Sequence, residues 1–568
     1  MTYRHFKYEG WLYALAFFIA LALRLIALGA MPLTDAEAAP ALQALHVSQS
    51  ADPALDPHPL YILLTSVFFL MYGGGTNFLA RLVPALIGSL LVLAPLLLDD
   101  RFKPRPSLIL AFFLALDPGL VAISRQAASP ILAITCLAFT AGFINKNKFH
   151  WAAVTAALAL LGGPSVWLGL LGIAIAFAIF QPFISKVDRS TSAEGQPAPE
   201  VQRASFVIPP SAFITFIAAL LIAGTLFFTS PAGLGAAFSS IPAFIKMWTM
   251  PSPVLRSMLL LSVLIYQPFA LLLTIMSLVR GWAGGLRRII FLSIWLLVAL
   301  LLAVFFPARQ MADLAWVLIP LNALASLELV RHFTILPEER REVAGVVGLT
   351  VFIWVFAWLG MAGINWLVID TPDYRLRAGM LIGSIFLLMV SLVLIAAGWS
   401  IRVARLGGVW GMAVALGVLS LGGLFGSMGL RGMDFPELWW QSGIPMQADL
   451  VRDTVSQVSE SGTGNDYTAS VTIFGVQSPA LEWALRENPV QVVDTLDPIN
   501  PGDFVITTYE TDPQLASSYR GQDFVWRQTP SWGFADVASW FRWVPLRQMP
   551  TEKEIIILWA NSDLFLDK

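Results

Sequence analysis

Between Met31 and Ala80 the chain carries Asp35, Glu37, Asp52 and Asp56 but neither lysine nor arginine. This acidic stretch follows directly on Trp11 to Ala30 (WLYALAFFIALALRLIALGA), 20 residues with Arg24 as the one charge, enough to cross a bilayer core of about 30 Å. A carboxylate presented where a helix leaves the membrane suits a lipid-borne substrate. It has the chemistry of a general base toward a hydroxyl, given an ionised state and contact with the proton it takes. Asp35 and Glu37 stand two apart in LTDAEAAPALQAL. The same string reads as a helix start in which Thr34 and Glu37 form a capping box. That structural role accounts for Glu37 and leaves Asp35 less well explained.

Arginines recur on the same predicted face. Arg24 lies in the outer half of the first span, where a guanidinium either snorkels to the interface or pairs with an anion. Arg81 opens a second span, Arg125 follows LDPGLVAIS, and Arg309 occurs with Asp313 in FPARQMADLAW. Four guanidinium groups on a side where cations are scarce point to anion binding, and their bidentate donors fit a phosphate. Pairing with Asp35, Asp117 or Asp313 is the structural alternative. His46 and His58 flank the acidic loop and with Asp or Glu would suit a hard divalent cation. Their spacing matches no named metal motif, and solvated loop histidines are the alternative, so a divalent metal is the one cofactor candidate.

The elements that must position these groups are set by composition. Of 568 residues 57% are hydrophobic and 13% charged, far from the usual quarter of charged positions, which marks a polytopic membrane protein. Split at residue 430, the first part holds 26 Lys and Arg against 18 Asp and Glu, the rest 9 against 19. Two regions in two environments follow. The single cysteine, Cys136, excludes an intrachain disulfide and a cysteine-based metal site. The first apolar stretch lacks a small-residue cleavage signature and is too long for an ordinary signal core, so it reads as a retained helix.

Apolar segments of spanning length fall near residues 11–30, 80–98, 107–124, 129–145, 149–162, 164–183, 209–229, 255–279, 289–306, 313–332, 344–369, 378–398 and 408–429, which predicts 13 spans. The run Leu60 to Tyr72 has only 13 residues and reads as a helix lying at the interface. With the N-terminus inside, inner segments hold 18 Lys and Arg and outer loops before the tail hold five, Arg125, Lys246, Arg309, Arg375 and Arg377. The positive-inside rule then places residues 31–79 and the tail outside. Counting Leu60 to Tyr72 as a span would invert this. Residues 184–208, rich in Ser, Pro, Gln and Glu without hydrophobic period, read as a flexible inner linker.

The fold class is therefore a polytopic α-helical membrane protein of about 13 transmembrane helices, residues 1–430, with a small extracytoplasmic α/β domain over 431–568. In the tail the pattern predicts an amphipathic helix from Ala448 to Glu460, a strand from Ser470 to Val476, a helix from Pro479 to Glu487, and strands at Val490 to Val493, Phe504 to Thr508 and Glu554 to Trp559. The tail also holds eight of the 20 tryptophans, Trp439, Trp440, Trp526, Trp532, Trp540 and Trp543 among them. Such rings stack on sugars, fill a small core or anchor at the membrane interface.

In order, LRLIAL, TDAEAAPALQAL, HPLYILLTSVFFLMYGGG, FLARLVPALIGSLLVLAPLLL, LDPGLVAISRQ, ALALLGGPSVWLG and FPARQMADLAWVLIPL resemble the GT-C membrane glycosyltransferases of the protein-mannosyltransferase and aminoarabinose-transferase branch (glycosyltransferase family 39-like). The likeness covers roughly residues 10–330. It implies a multi-span enzyme of the plasma (inner) membrane that moves a sugar from a polyprenyl-phosphate carrier to a protein, lipid or glycan acceptor on the outer face. In that family an acidic residue of the first outer loop is the base, usually the first of an adjacent Asp-Glu pair. Here Ala36 intervenes, so the role passes to Asp35 first and Glu37 second, with Arg125 and Arg309 near the lipid phosphate. Direct displacement by an activated hydroxyl would invert the anomeric centre, with cations holding the charge that grows on the departing phosphate. Two alternatives are a lipid-linked sugar transporter, against which stand the absent repeat and the outer placement of charges, and a catalytically silent relative serving as an envelope scaffold. Nothing in the chain suggests nucleic acid.

Overall fold

A computed structural model describes residues 9–51, 53–99, 104–193, 209–364, 371–440 and 443–565. Asp52, and residues 194–208 of the predicted linker, lie outside them. The remainder of that linker departs from expectation, because the helix begun at Ser165 continues to Ala193.

The membrane part opens with α1 (Glu9–Leu25), α2 (Asp35–Ser48), α3 (Pro59–Tyr72) and α4 (Asn77–Leu90), the last running on as helix to Leu97. Then come α5 (Pro104–Leu116), α6 (Pro118–Ser124), α7 (Ile131–Asn145), α8 (Phe149–Leu160), α9 (Ser165–Ala193), α10 (Pro210–Gly224) and α11 (Ala232–Met247). The set closes with α12 (Arg256–Tyr266), α13 (Pro268–Ala283), α14 (Arg287–Phe305), α15 (Ala315–Leu329), α16 (Arg340–Ile364), α17 (Pro372–Gly398) and α18 (Ile401–Ser427).

Among the described residues seven helices are long and apolar enough to cross a membrane, and nine if two bent pairs each count as one span. The predicted count of 13 is not reached. Helices do form over 129–145, 149–162 and 209–229, but α7, α8 and α10 have 15, 12 and 15 residues, and at 1.5 Å per residue they fall short of the hydrocarbon thickness. The chain is an integral membrane protein all the same. On α17 the side chains of Ile382, Ile385, Phe386, Leu387, Val393 and Leu394 are all exposed, a face that only lipid would cover favourably. The run over 60–72 does form a helix, α3, started by Pro59 and stopped by Gly73 at φ +82°.

Both bent pairs have one cause. Pro118 and Pro268 push the residue before them out of the helical region, so the chain turns by 58° at Asp117 and by 92° at Gln267. The two breaks meet, since Gln267 Nε2 donates to Asp117 Oδ1 at 2.9 Å.

The C-terminal part is an α/β unit with a six-stranded mixed sheet. Its strands are β1 (Ile444–Pro445), β2 (Val471–Phe474), β3 (Val490–Val493), β4 (Phe504–Thr508), β5 (Tyr519–Pro530) and β6 (Thr551–Asn561), in the spatial order β1-β5-β6-β4-β2-β3. β2 is parallel to β3 and β4, and the other pairs are antiparallel. Helices α19 (Ala448–Thr463), α20 (Pro479–Ala484) and α21 (Val537–Leu546) accompany it. Neither β5 nor α21 is among the predicted elements; β5 alternates poorly and α21 is built around Trp540 and Trp543.

This unit is docked on the membrane part. Glu437 is buried between Tyr266, whose hydroxyl donates to it, Arg431 at 3.0 Å and Arg547 at 3.3 Å. Burial pushes its carboxyl above the usual range, against the opposing pull of Arg547. Trp483 Nε1 reaches Asn77 Oδ1 at 2.8 Å and Arg486 reaches the Gly75 carbonyl at 3.0 Å, tying α20 to the α3–α4 turn. Trp439, Trp526 and Trp543 are fully buried, and the Trp532 and Trp540 rings stack at 5.5 Å. The tail tryptophans therefore fill the core and the seam.

Candidate functional site

The ends of α1 and α18, and the segment from Ile26 to Pro32 that leads from α1 toward α2, present a cluster of carbonyls at which helical bonding runs out. Two arginines take them. Arg125, just past α6, donates to the carbonyls of Leu23, Arg24 and Ile26 at 3.2, 3.0 and 2.8 Å, and through its other terminal nitrogen to Ala27 at 3.1 Å and Met428 at 2.8 Å. Ala27 sits at φ +52°, a left-handed geometry costly for an L-residue, and its Arg125 bond helps to hold it. Arg81 on α4 donates to Met31 at 2.7 Å and Pro32 at 3.0 Å.

Arg81 also forms a fork on Glu37, with Nε to Oε1 at 2.8 Å and Nη2 to Oε2 at 2.7 Å. Glu37 further accepts from the Thr34 amide and hydroxyl, each at 3.1 Å, and from the Ala127 amide at 3.1 Å. Five donors exceed the roughly four lone-pair positions of a carboxylate. Burial by itself would push this carboxyl up. The Arg81 charge, with these hydrogen bonds, outweighs it and holds the pKa below the ordinary 4.5. Glu37 is thus a fully engaged structural anion, an arrangement that leaves less room for a base here than at Asp35.

Asp35, two residues earlier and so about half a turn round α2, points the other way. Its Oδ1 accepts from Ser478 Oγ at 2.6 Å and from the Ala480 amide at 3.0 Å, and its Oδ2 lies 2.6 Å from Arg527 Nη2. Its side chain keeps 22% exposure against 5% for Glu37. Three donors leave about one accepting position open. Arg527 is aimed at it by a break in the β5–β6 register between Val525 and Arg527, the usual way a bulge re-aims a side chain. Neither Arg527 nor Ser478 is legible as a partner from the sequence, because each lies in the tail; Ser-Pro at 478–479 signals only a helix start.

The remaining predicted residues are distributed differently. Arg24 is fully buried and ties α1 to the end of α5 through the carbonyls of Ala115 and Leu114 at 3.5 and 3.3 Å. It neither snorkels nor pairs with a carboxylate. With Arg81 and Arg125 it donates to carbonyls at helix ends, so three of the four arginines expected at a phosphate are engaged within the protein. Arg309 differs: it is half-buried, its Nε donates to the Val254 carbonyl at 2.7 Å, and its two terminal nitrogens have no partner among the described residues. Asp313 does not pair with it, accepting instead from the Gln310 amide at 3.0 Å and Ser165 at 3.4 Å. His46 is exposed, whereas His58 heads α3 beside Gly163, and burial lowers its pKa against the pull of Asp56. The histidines are not brought together. Among the described residues no group of three or more His, Cys, Asp or Glu is placed to hold a metal ion.

Over 97% of its length the chain has a GT-C-like fold. Superposed on the crystal structure of ArnT from Cupriavidus metallidurans bound to undecaprenyl phosphate, an aminoarabinose transferase, it gives a TM-score of 0.56 at 13% identity, over 97% of this chain and 98% of that one. The apo state of the same ArnT gives 0.53 at 12% identity with the same coverage. No protein-family model and no curated protein sequence matches the chain.

Proposed function

We propose that the chain is a membrane glycosyltransferase that moves a sugar from a polyprenyl-phosphate carrier to a hydroxyl acceptor by inverting displacement. The proposal places the chain in the plasma membrane, with the N-terminus inside and the α/β unit outside. Asp35 carries the reading: of the two carboxylates that open α2 it is the one that is both reachable and left with an open accepting position. In this scheme Asp35 takes the acceptor proton, while Arg527 and Ser478 orient it. Arg309 meets the phosphate with its free nitrogens, where charge develops on the leaving group. The fold supports a polyprenyl-phosphate donor because the similar ArnT structure holds undecaprenyl phosphate.

A catalytically silent scaffold is the second reading, favoured by the engagement of Asp35 with the tail and the saturation of Glu37. Purified full-length protein in nanodiscs, given labelled polyprenyl-phosphate sugars and a detergent extract of envelope acceptors, separates the two. Transfer with inversion at the anomeric carbon supports the enzyme. Folded protein that binds donor and transfers none of the sugars supports the scaffold.

A further inference from the structure

The two broken spans enclose a space that the transferase reading does not use. Between α5, α12, α13, α15 and α18 lies a cavity of 410 Å³, within the range of small-ligand sites. Its walls are apolar, with Ile109, Phe112, Phe113, Phe269 and Leu421 among them. One corner is polar. Asp117, Gln267 and Asn322 line it, 4%, 3% and 1% exposed.

The hydrogen bonds of that corner are lopsided. Asp117 accepts from Leu120 and Gln267 at 2.9 Å each and from Asn322 at 2.8 Å, all neutral donors. With Nε2 of Gln267 committed to Asp117, its Oε1 is buried and without a partner among the described residues. A buried amide oxygen in that state is costly and calls for a donor. The donor must come with an apolar body that fills the walls. It must also be uncharged or nearly so: an anionic head would meet Asp117 with only neutral groups hydrogen-bonded to that carboxylate, while a cation is not needed by a carboxylate already supplied with donors.

We propose that this cavity binds an uncharged long-chain alcohol from the bilayer, with the hydrocarbon against Phe112, Phe113 and Phe269 and the hydroxyl donating to Gln267 Oε1. Neither Asp35 nor Arg309 lines the cavity. Its occupant would brace the two breaks at Asp117 and Gln267, which irregular backbone at membrane depth requires.

The test uses full-length protein in nanodiscs and tritiated hexadecanol, with hexadecane and hexadecyl phosphate as competitors. Saturable binding is expected, with hexadecyl phosphate and hexadecane each competing at least 10-fold more weakly than unlabelled hexadecanol. Gln267→Leu should weaken binding about 5- to 10-fold, the worth of one hydrogen bond. Gly417→Phe, built where an added Cβ meets no heavy atom within 4 Å and the residue itself lines the cavity, should abolish binding. If Gln267→Leu fails to fold, the Gly417→Phe variant and the competitors decide alone. Equal competition by hexadecane or by the phosphate, wild-type binding in Gly417→Phe, or no saturable binding overturns the proposal.

Discussion

Replacing Glu37 by Gln should expose the cost of breaking a buried ion pair. The pair is nearly inaccessible, with side-chain exposures of 3% for Arg81 and 5% for Glu37, so loss of one partner leaves a buried charge uncompensated, at about 3–5 kcal/mol. If the 568 residues melt as one unit, the unfolding entropy is roughly 1.2 kcal/mol/K, and each kcal/mol lowers the midpoint by about 1 °C. A fall of about 3–5 °C is expected for Glu37→Gln, measured by fluorescence-detected thermal melting in detergent. Arg81→Ala should lose more, because it also abandons the carbonyls of Met31 and Pro32. The pH dependence has a definite sign. The folded pKa of Glu37 lies below 4.5, so its stabilisation is full above that value and is lost as pH falls through the lower folded one. Glu37→Gln should therefore flatten the acid limb of the melting profile. A midpoint within 1 °C of wild type, or an unaltered acid limb, would refute the assignment of Glu37 as a structural anion.

Arg309→Ala should raise the donor concentration needed for half-maximal transfer about 10- to 100-fold, the worth of charge-assisted contacts to a phosphate, with melting unchanged; normal donor dependence would remove Arg309 from the site. Arg125→Ala should do the reverse, lowering the melting midpoint by several degrees through five lost carbonyl bonds while the folded fraction keeps its donor dependence. Arg527→Ala should lower turnover about 10-fold by releasing Asp35, with donor binding retained and partial recovery in Arg527→Lys; an unaltered rate would sink the positioning role.

Much of the helical frame was legible because proline punctuates it: Pro59, Pro118, Pro210, Pro268 and Pro372 all open helices. The prolines that bend a span leave the count of spans unaltered, since each bent pair passes as one. A hydropathy window runs straight through Gln267 and Asp117, where the chain turns, and it treats α8 as a span although 12 residues cannot reach across. At the site, the local capping pattern of Thr34 and Glu37 was readable, since it depends on residues three apart. The fork from Arg81 and the ion pair from Arg527 were not, because each joins positions that only the tertiary fold makes neighbours. For the same reason, arginines on a cation-poor side looked like phosphate ligands, although helix ends at a tight junction need buried donors equally. The tail tryptophans were ambiguous until the sheet placed them in a seam.

The most direct test of the account is the transfer rate of Asp35→Asn, compared with wild type at saturating polyprenyl-phosphate sugar and with donor binding measured in parallel. Asparagine keeps the size and most of the hydrogen bonding of aspartate and removes the basic lone pair, so turnover should fall about 100-fold or more while donor binding stays within about twofold. An Asp35→Asn protein that transfers sugar at the wild-type rate would contradict the claim that this carboxylate is the base.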